Sequence, residues 1–205
     1  MILQNTYYYW QEAIDKETCE KIISLGLGKT PEEGLIHRKE NKPMNEGLAS
    51  NLEQRRSMVS WLDEPWIYEL LQPYIHTANK EANWNFQWDF TEMLQFTVYD
   101  EGQHYNWHPD QNAYPYHHDD GENLEGKIRK ISASILLNDP SEYEGGELEF
   151  DLGRIDGKPA SETCDQISKQ GSIVVFPSFV YHRVKPVTKG TRYSLVMWNL
   201  GHPYK

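Results

Sequence analysis

Two histidines and one aspartate are the residues of this chain whose types and spacing favour metal chemistry. His108 and Asp110 stand two positions apart in the segment Tyr-Asn-Trp-His-Pro-Asp. Because residues i and i+2 of a strand share a face, the pattern predicts that both side chains bind one ion. His182 can complete the set from a neighbouring strand. Two histidines and one carboxylate on one side of an ion leave its other side open, as in non-haem Fe(II) sites.

Other metal-binding patterns compete with this set. Two further H-x-D pairs fall in the polar segment 117–120, where a solvated turn is the simpler explanation. His104 and His108 have the i, i+4 spacing of a zinc-binding helix, but Pro109 disfavours a helix there. A histidine and carboxylate set also suits catalytic zinc. The alternative for His182 is a histidine that ends a hydrophobic strand. The ligand types alone therefore leave the metal open.

Arg192 adds a second kind of chemistry. It shares a predicted strand face with Ser194, Val196 and Trp198. An arginine among inward-facing apolar residues is costly without an anion, and its planar fork matches a carboxylate. We expect that carboxylate to arrive on a ligand beside the metal. A surface arginine paired with one of the chain's own acids is the alternative.

The elements that must position these residues are mostly strands. Apolar periodicity predicts helices over 11–27, with Asp15 as a cap, and between residues 66 and 83. The segment 28–52 is predicted to be a loop, and polar connections are expected at 111–129 and 151–170. Short β-rich runs punctuated by turn residues indicate a sandwich or barrel. These predicted strands are 86–99, 130–137, 147–150, 172–176, 180–187 and 192–198.

Composition limits the class of protein. The 205 residues favour one domain, 1–205, with an N-terminal helical support to about residue 85 and a β core over about 86–200. The net charge of −11 disfavours nucleic acid as a partner and would suit a basic protein segment. Two cysteines are too few for a disulfide framework. Neither a signal peptide nor a membrane span is recognisable, so we expect a soluble, cytoplasmic protein; its oligomeric state is not predicted.

Three segments between about residues 90 and 200 resemble one enzyme family in the right order. The stretch from Tyr99 to Asp110 resembles the first metal motif of the prolyl 4-hydroxylase group of 2-oxoglutarate- and Fe(II)-dependent dioxygenases. The stretch 135–148, with its Gly145-Gly146 pair, resembles the centre of that fold. The stretches 171–177 and 182–194 resemble its distal half. The bacterial PKHD-type hydroxylases are the most similar branch.

The resemblance implies a mainly β fold, a double-stranded β-helix or jelly roll with helices packed outside. It implies that His108, Asp110 and His182 are the catalytic, Fe(II)-binding residues and that Arg192 binds the distal carboxylate of 2-oxoglutarate. Tyr99 would line the cosubstrate pocket. Some relatives have a tyrosine on the third core strand where this chain has Leu136, so Ser194 or Tyr99 is expected to supply that hydroxyl. Bulky walls are expected from Trp107, Tyr105 and Trp198.

The implied activity is hydroxylation of a C–H bond, coupled to conversion of 2-oxoglutarate and O2 to succinate and CO2, with ascorbate as an accessory. The expected substrate is a prolyl residue in a peptide or protein. A free amino acid or small metabolite, or a non-redox cupin-like metal-binding barrel, are the alternatives. Nucleic-acid dealkylation is disfavoured because relatives with that activity carry an arginine where this chain has Trp198. The carboxylate Asp110 favours hydroxylation over halogenation.

Overall fold

The computed structural model describes residue 3 and the ranges 5–37, 48–49, 51–155 and 158–204. Both helices predicted from the sequence are present. Helix α1 spans Lys16–Leu27 and helix α2 spans Pro65–Glu81. The Asp15 carboxylate accepts a hydrogen bond from the Thr18 amide at 2.8 Å, which caps α1 as predicted. Neither helix combines the length and apolarity that a membrane span requires.

The larger sheet consists of eight antiparallel strands. Strands are numbered in chain order, and their spatial order is β1 (Tyr8–Trp10), β14 (Ile173–Pro177), β10 (Ile128–Leu136), β17 (Arg192–Gly201), β8 (Leu94–Tyr99), β6 (Met58–Leu62) and β2 (Glu32–Glu33), with β7 (Phe90–Thr91) paired to β17. Because side chains alternate along a strand, this sheet has two different faces. Ile131, Ala133 and Ile135 pack with the helices, whereas Ser134 lines the interior of the barrel.

The smaller sheet has five strands and faces the larger one. Its spatial order is β13 (Lys158–Thr163), β12 (Leu148–Ile155), β15 (His182–Val184), β9 (His104–His108) and β5 (Arg55–Arg56). Two short pairs accompany it, β11 (Tyr143–Gly145) with β16 (Val187–Gly190) and β3 (Ile36–His37) with β4 (Leu48–Ala49). Phe150 and Phe176, from opposite sheets, meet in the core between them with ring centroids 5.1 Å apart. The predicted jelly-roll core with flanking helices is confirmed.

The N-terminal 85 residues contribute strands as well as helices, which the sequence analysis did not predict. Strand β1 extends one edge of the larger sheet, β6 and β2 extend the other, and β5 adds an edge to the smaller sheet. The segment 28–52 was predicted as a loop, yet it contains β2 and the pair β3–β4; residues 38–47 and 50 lie outside the described residues. These strands span only two to five residues, too few to show a periodic pattern.

One predicted connection is wrong and the other is confirmed. The segment 151–170 forms the end of β12, strand β13 and a 3-10 turn at Asp165–Ile167. Strand β13 is the edge of its sheet, and an edge strand keeps a polar sequence because it remains next to water. The segment 111–129 is a connection up to the start of β10, with a 3-10 turn at His118–Asp120.

Candidate metal centre

The three predicted metal ligands converge in the barrel interior. His108 on β9 and His182 on β15 are direct partners across the two paired strands. Strand β9 ends at His108, so Asp110 lies in the bend that follows, not on the strand face from which its position was predicted. One nitrogen from each histidine and a carboxylate oxygen all lie within 4.8 Å of one another. All three side chains are buried.

The carboxylate of Asp110 faces both imidazoles. Its Oδ1 lies 3.9 Å from Nε2 of His108, and its Oδ2 lies 3.8 Å from Nε2 of His182. The two imidazole rings are 4.3 Å apart between centroids. Oδ2 of Asp110 has no hydrogen-bond partner in the described part of the chain. A buried, unpartnered carboxylate oxygen is costly, and a cation between the three side chains would satisfy it.

Backbone carbonyl groups fix the orientation of both histidines. Nδ1 of His108 lies 2.7 Å from the Asn106 carbonyl oxygen, and Nδ1 of His182 lies 3.0 Å from that of Val180. A carbonyl oxygen only accepts, so each Nδ1 must carry the proton and donate. Each Nε2 then has a free lone pair, directed toward Asp110. This is the tautomer and support that metal-binding histidines use.

The charges of the cluster also suit a cation. Burial, and after it the imidazole of His182, lowers the pKa of His108 well below its ordinary value. Burial alone would raise the pKa of Asp110, but His182 and His108 lower it, as does Arg129, and they outweigh burial. A neutral imidazole and an ionised carboxylate are the protonation states that metal binding requires. The donor set fits a divalent metal ion.

Arg192 lies in the same pocket, as predicted. It is 3% exposed, faces Tyr99 across β17 and β8, and lines the cavity together with all three candidate ligands. Among the described residues, its Nη1 has no hydrogen-bond partner and no carboxylate forms an ion pair with it. A buried guanidinium in this state fits an anionic ligand, which favours the ligand-anchor interpretation over a surface ion pair.

The other predicted pocket residues divide into two groups. Tyr99, Ser194, Tyr105 and Trp198 line the cavity of the cluster. Trp107 does not, because its ring packs against the guanidinium of Arg183 at 4.7 Å. Strand alternation explains this difference, since Trp107 and His108 point to opposite faces of β9.

Tyr143 is a functional candidate that the sequence analysis missed. Burial raises the pKa of Tyr143, and the neighbouring guanidinium of Arg192 opposes that rise. Tyr143, Leu136 and Arg192 line one small cavity, so this phenol lies close to the position where Leu136 lacks a hydroxyl. Its place beside Gly145 and Gly146 in the sequence is the signal that could have revealed it.

Arg129 is a second residue that the sequence did not reveal. Its guanidinium forms two hydrogen bonds with Glu92, one of them 2.9 Å long from Nε, and packs 3.7 Å from the Trp198 ring. Its Nη1 also reaches the backbone carbonyl of Asp110 at 3.5 Å. The buried ion pair thus supports the bend that presents Asp110.

A larger cavity of about 740 Å³, between segments 84–89 and 201–204, contains none of the cluster residues.

The chain belongs to the 2OG-Fe(II) oxygenase superfamily. The model of that family matches residues 94–199, which is half of the chain and includes the whole His-Asp-His cluster and Arg192. Members of this superfamily use Fe(II), 2-oxoglutarate and O2, and the cluster fits that metal requirement.

Individual relatives support the same assignment. A PKHD-type hydroxylase of Sphingopyxis alaskensis is 35% identical over 97 residues, which are 47% of this chain and 38% of that protein. The chain spans only about two fifths of the length of the curated relatives it matches.

Solved structures show the same fold at low sequence identity. The viral collagen prolyl hydroxylase of Paramecium Bursaria Chlorella virus-1 superposes with a TM-score of 0.64 at 16% identity, over 97% of each chain. A prolyl hydroxylase of Trichoplax adhaerens, solved with a peptide fragment of hypoxia inducible factor, gives 0.62 at 15% identity, over 96% of this chain and 84% of that one.

Proposed function

We propose that this protein is an Fe(II)- and 2-oxoglutarate-dependent dioxygenase that hydroxylates a C–H bond. His108, Asp110 and His182 hold the metal ion, and Arg192 holds the cosubstrate. The observation that carries this proposal is one buried pocket that contains both a His-Asp-His cluster and an arginine without a carboxylate partner among the described residues. A cupin-like metal barrel or a zinc site has no need of that arginine.

The metal ligands act through their fixed orientation. The carbonyl groups of Asn106 and Val180 keep Nε2 of each histidine available, and the Asp110 carboxylate offsets part of the charge of the ion. These three side chains would hold the ion from one side and leave its other side open to other molecules. Bound Fe(II) supplies the activation of O2, coupled to the loss of CO2 from 2-oxoglutarate. The protein orients the reactants and excludes water.

Arg192 anchors the distal carboxylate of 2-oxoglutarate, with the phenol of Tyr143 beside it and Tyr99 along the wall. The cavity around the cluster is narrow, about 40 Å³, and it adjoins a second cavity of about 230 Å³ that Arg192 also lines. The aromatic side chains of Tyr105 and Trp198 limit the access of water to the reacting atoms.

The proposed substrate is a prolyl residue of a peptide or protein. Support comes from the relatives, which are named PKHD-type hydroxylases and prolyl hydroxylases, one of them solved with a bound peptide. Hydroxylation of a free amino acid or a small metabolite is the alternative, with the same chemistry. A requirement for ascorbate and a cytoplasmic location stay predictions.

The decisive experiment measures succinate formed from 2-oxoglutarate by the purified protein with Fe(II) and O2. We expect slow turnover without a second substrate, and its loss in His108→Ala and Asp110→Ala. His104→Ala is the matched control, because His104 is a histidine of the same strand whose ring contacts backbone carbonyls outside the cluster. Full turnover by the double variant of His108 and Asp110 would refute the site.

The substrate is identified by a separate experiment. A peptide library and a panel of free amino acids are each incubated with the enzyme and 2-oxoglutarate. Mass spectrometry then detects a gain of one oxygen that requires 2-oxoglutarate. A gain on proline-containing peptides supports the prolyl assignment, whereas a gain confined to free amino acids favours the alternative.

A further inference from the structure

A second buried arginine lies next to the candidate metal centre. Arg55, on β5, is 6% exposed. Its guanidinium carbon lies 4.6 Å from the centroid of the Tyr105 ring, and that ring stacks on the imidazole of His108 with centroids 3.3 Å apart. Only one aromatic ring therefore separates this cation from a candidate metal ligand.

The position of Arg55 is set by contacts on three sides. Nε donates to the Ser57 hydroxyl and Nη1 to the Leu35 carbonyl, each at 3.0 Å. Gly34 packs so tightly that a Cβ atom on it would lie 2.5 Å from Nε of Arg55. The guanidinium is therefore held in one orientation by neutral groups, and Nη2 has no hydrogen-bond partner among the described residues.

Arg55 lines a cavity of about 130 Å³ that adjoins the metal pocket. The two cavities share part of their walls, and the shared residues are Gln95, Tyr105, Asp110 and Trp198. The indole Nε1 of Trp198 is a second buried donor without a hydrogen-bond partner in the part of the chain that the structure describes. Two residues that carry such donors therefore line a space that Asp110 of the His-Asp-His cluster also lines.

The charge of Arg55 is not neutralised by the described part of the chain. None of the described carboxylates forms an ion pair with it. Glu32 and Glu33 line the same cavity, but both are exposed, and Glu32 accepts a hydrogen bond from the Trp61 indole at 2.6 Å. A buried cation without a counter-ion is costly, and none of the described carboxylates supplies one for Arg55 in a chain of net charge −11.

We propose that this cavity binds a carboxylate group of the prime substrate, with Arg55 as the anchor and Trp198 as an additional donor. The inference rests on the proposed function, because it assigns the substrate side of the same active site. The anchor lies beside Asp110 and is distinct from Arg192, which serves the cosubstrate. The substrate therefore carries a negative charge close to the carbon that is hydroxylated.

The carboxylate can belong to a free amino acid or to an acidic residue of a peptide, and matched probes separate these sources. One pair is N-acetyl-L-proline and its neutral amide. The other pair is acetyl-Glu-Pro-Gly-amide and acetyl-Gln-Pro-Gly-amide. Binding is measured by saturation-transfer NMR titration of the Fe(II) protein without O2. Saturating 2-oxoglutarate is present, so that Arg192 is occupied.

We expect the acid of at least one pair to bind about tenfold or more tightly than its amide, because charge-assisted hydrogen bonds distinguish the two. Arg55→Gln should remove that preference, and Arg55→Lys should retain part of it because the charge remains. Arg56→Gln is the matched control, since Arg56 is the exposed neighbour on the same strand. Thermal melts verify that each variant is folded.

Three results would overturn the inference: no saturable binding of either acid, equal binding of acid and amide, or an acid preference that Arg55→Gln leaves intact. If Arg55→Gln does not fold, binding of the acid and of its amide is compared on the unaltered protein and on Arg55→Lys. That comparison still tests whether the cavity binds a carboxylate. Succinate formation by the unaltered protein is measured in parallel. If succinate forms but the acid does not bind more tightly than the amide, only the carboxylate site is rejected. If no succinate forms, the proposed function is rejected.

Discussion

At the scale of single residues, the candidate site is a set of buried polar groups that the protein leaves unsatisfied. Oδ2 of Asp110, Nη1 of Arg192 and Nη2 of Arg55 all lack hydrogen-bond partners among the described residues. Folding does not normally leave such groups buried, and each one costs about 1–3 kcal/mol, or more when charged. A metal ion and two carboxylates would satisfy all three, so bound ligands should stabilise the fold.

Arg192→Ala should raise the KM for 2-oxoglutarate by about tenfold to a hundredfold or more. The reason is the loss of charge-assisted hydrogen bonds, worth about 1.5–3 kcal/mol each. Succinate formation measured over a range of 2-oxoglutarate concentrations gives the KM. Arg56→Ala removes an equal charge from an exposed position and should leave the KM unchanged. An unaltered KM in Arg192→Ala would show that the cosubstrate lies elsewhere.

At the scale of elements, the turn after β11 shapes the surroundings of Arg192, the proposed anchor for the cosubstrate. Gly146 has a φ of +68°, and a Cβ atom there would lie 2.8 Å from Cδ of Arg192. The turn therefore needs glycine for two reasons, a left-handed backbone and the close approach of the arginine. The resemblance of the Gly145-Gly146 segment to a known motif thus has a physical basis in this chain.

Gly146→Ala should lower stability by about 1 kcal/mol or more and should also raise the KM for 2-oxoglutarate. Gly102→Ala is the control, because Gly102 has a φ of +77° but no neighbouring atom within 4 Å of the point that a Cβ would occupy. The Gly102→Ala variant should lose stability through backbone strain alone, and its KM for 2-oxoglutarate should equal that of the wild type. Equal KM values in both variants would contradict the proposed contact with Arg192. Urea unfolding and succinate kinetics provide the two measurements.

Where β12 pairs with β15, which holds His182, the buried carboxylate of Glu149 meets two partly exposed cations. Glu149 on β12 accepts from Arg183 at 2.6 Å and lies 2.8 Å from Nζ of Lys185. Burial would raise the pKa of Glu149, but the hydrogen bonds from Lys185 and Arg183 outweigh it and lower the pKa. The folded state therefore favours the ionised form of Glu149 more than the unfolded chain does.

Glu149→Gln should lower the free energy of unfolding by about 1–3 kcal/mol at pH 7. A lowered folded-state pKa gives stability that is fully present above the unfolded value, 4.5, and that is lost as the pH falls through the folded value. The difference between variant and wild type should therefore shrink below pH 4.5. Urea unfolding at several pH values measures it, and a difference that grows toward low pH would contradict the assignment.

At the scale of the whole molecule, the larger sheet separates two cores with different tasks. One face packs against α1 and α2 in an apolar cluster, and the other face encloses the pocket. Gly26 of α1 allows the helix to approach this sheet, because a Cβ atom there would lie 2.3 Å from the Phe96 ring. Stability and chemistry are thereby placed on opposite faces of the same strands.

Leu71→Ala should lower the free energy of unfolding by about 2–5 kcal/mol through a cavity between α2 and the sheet. Leu71 is 1% exposed and belongs to the helix-side cluster. The KM for 2-oxoglutarate of the folded fraction should remain that of the wild type, since the buried residues of the helix-side cluster do not line the pocket. Denaturant unfolding and kinetics at low temperature check both parts, and a changed KM would show that the two faces are coupled.

Local patterns in the chain were sufficient to predict both helices, the long strands, the fold class and the metal and cosubstrate residues as candidates. Helix periodicity, capping and strand alternation are local properties of the chain. The residues of a family motif keep a fixed spacing along the chain, so the motif can also be recognised locally. The assignment of one domain over 1–205 stays a prediction.

Tertiary contacts decided the remaining features. Two-residue strands such as β5 exist only because a partner strand supplies their hydrogen bonds. Asp110 reaches the histidines through a bend and not along a strand. Tyr143 meets Arg192, and Arg55 lies one aromatic ring from His108, although the residues of each pair are about fifty positions apart in the chain. Sequence periodicity carries no information on such distant contacts, because they form only when both sheets have closed around the pocket.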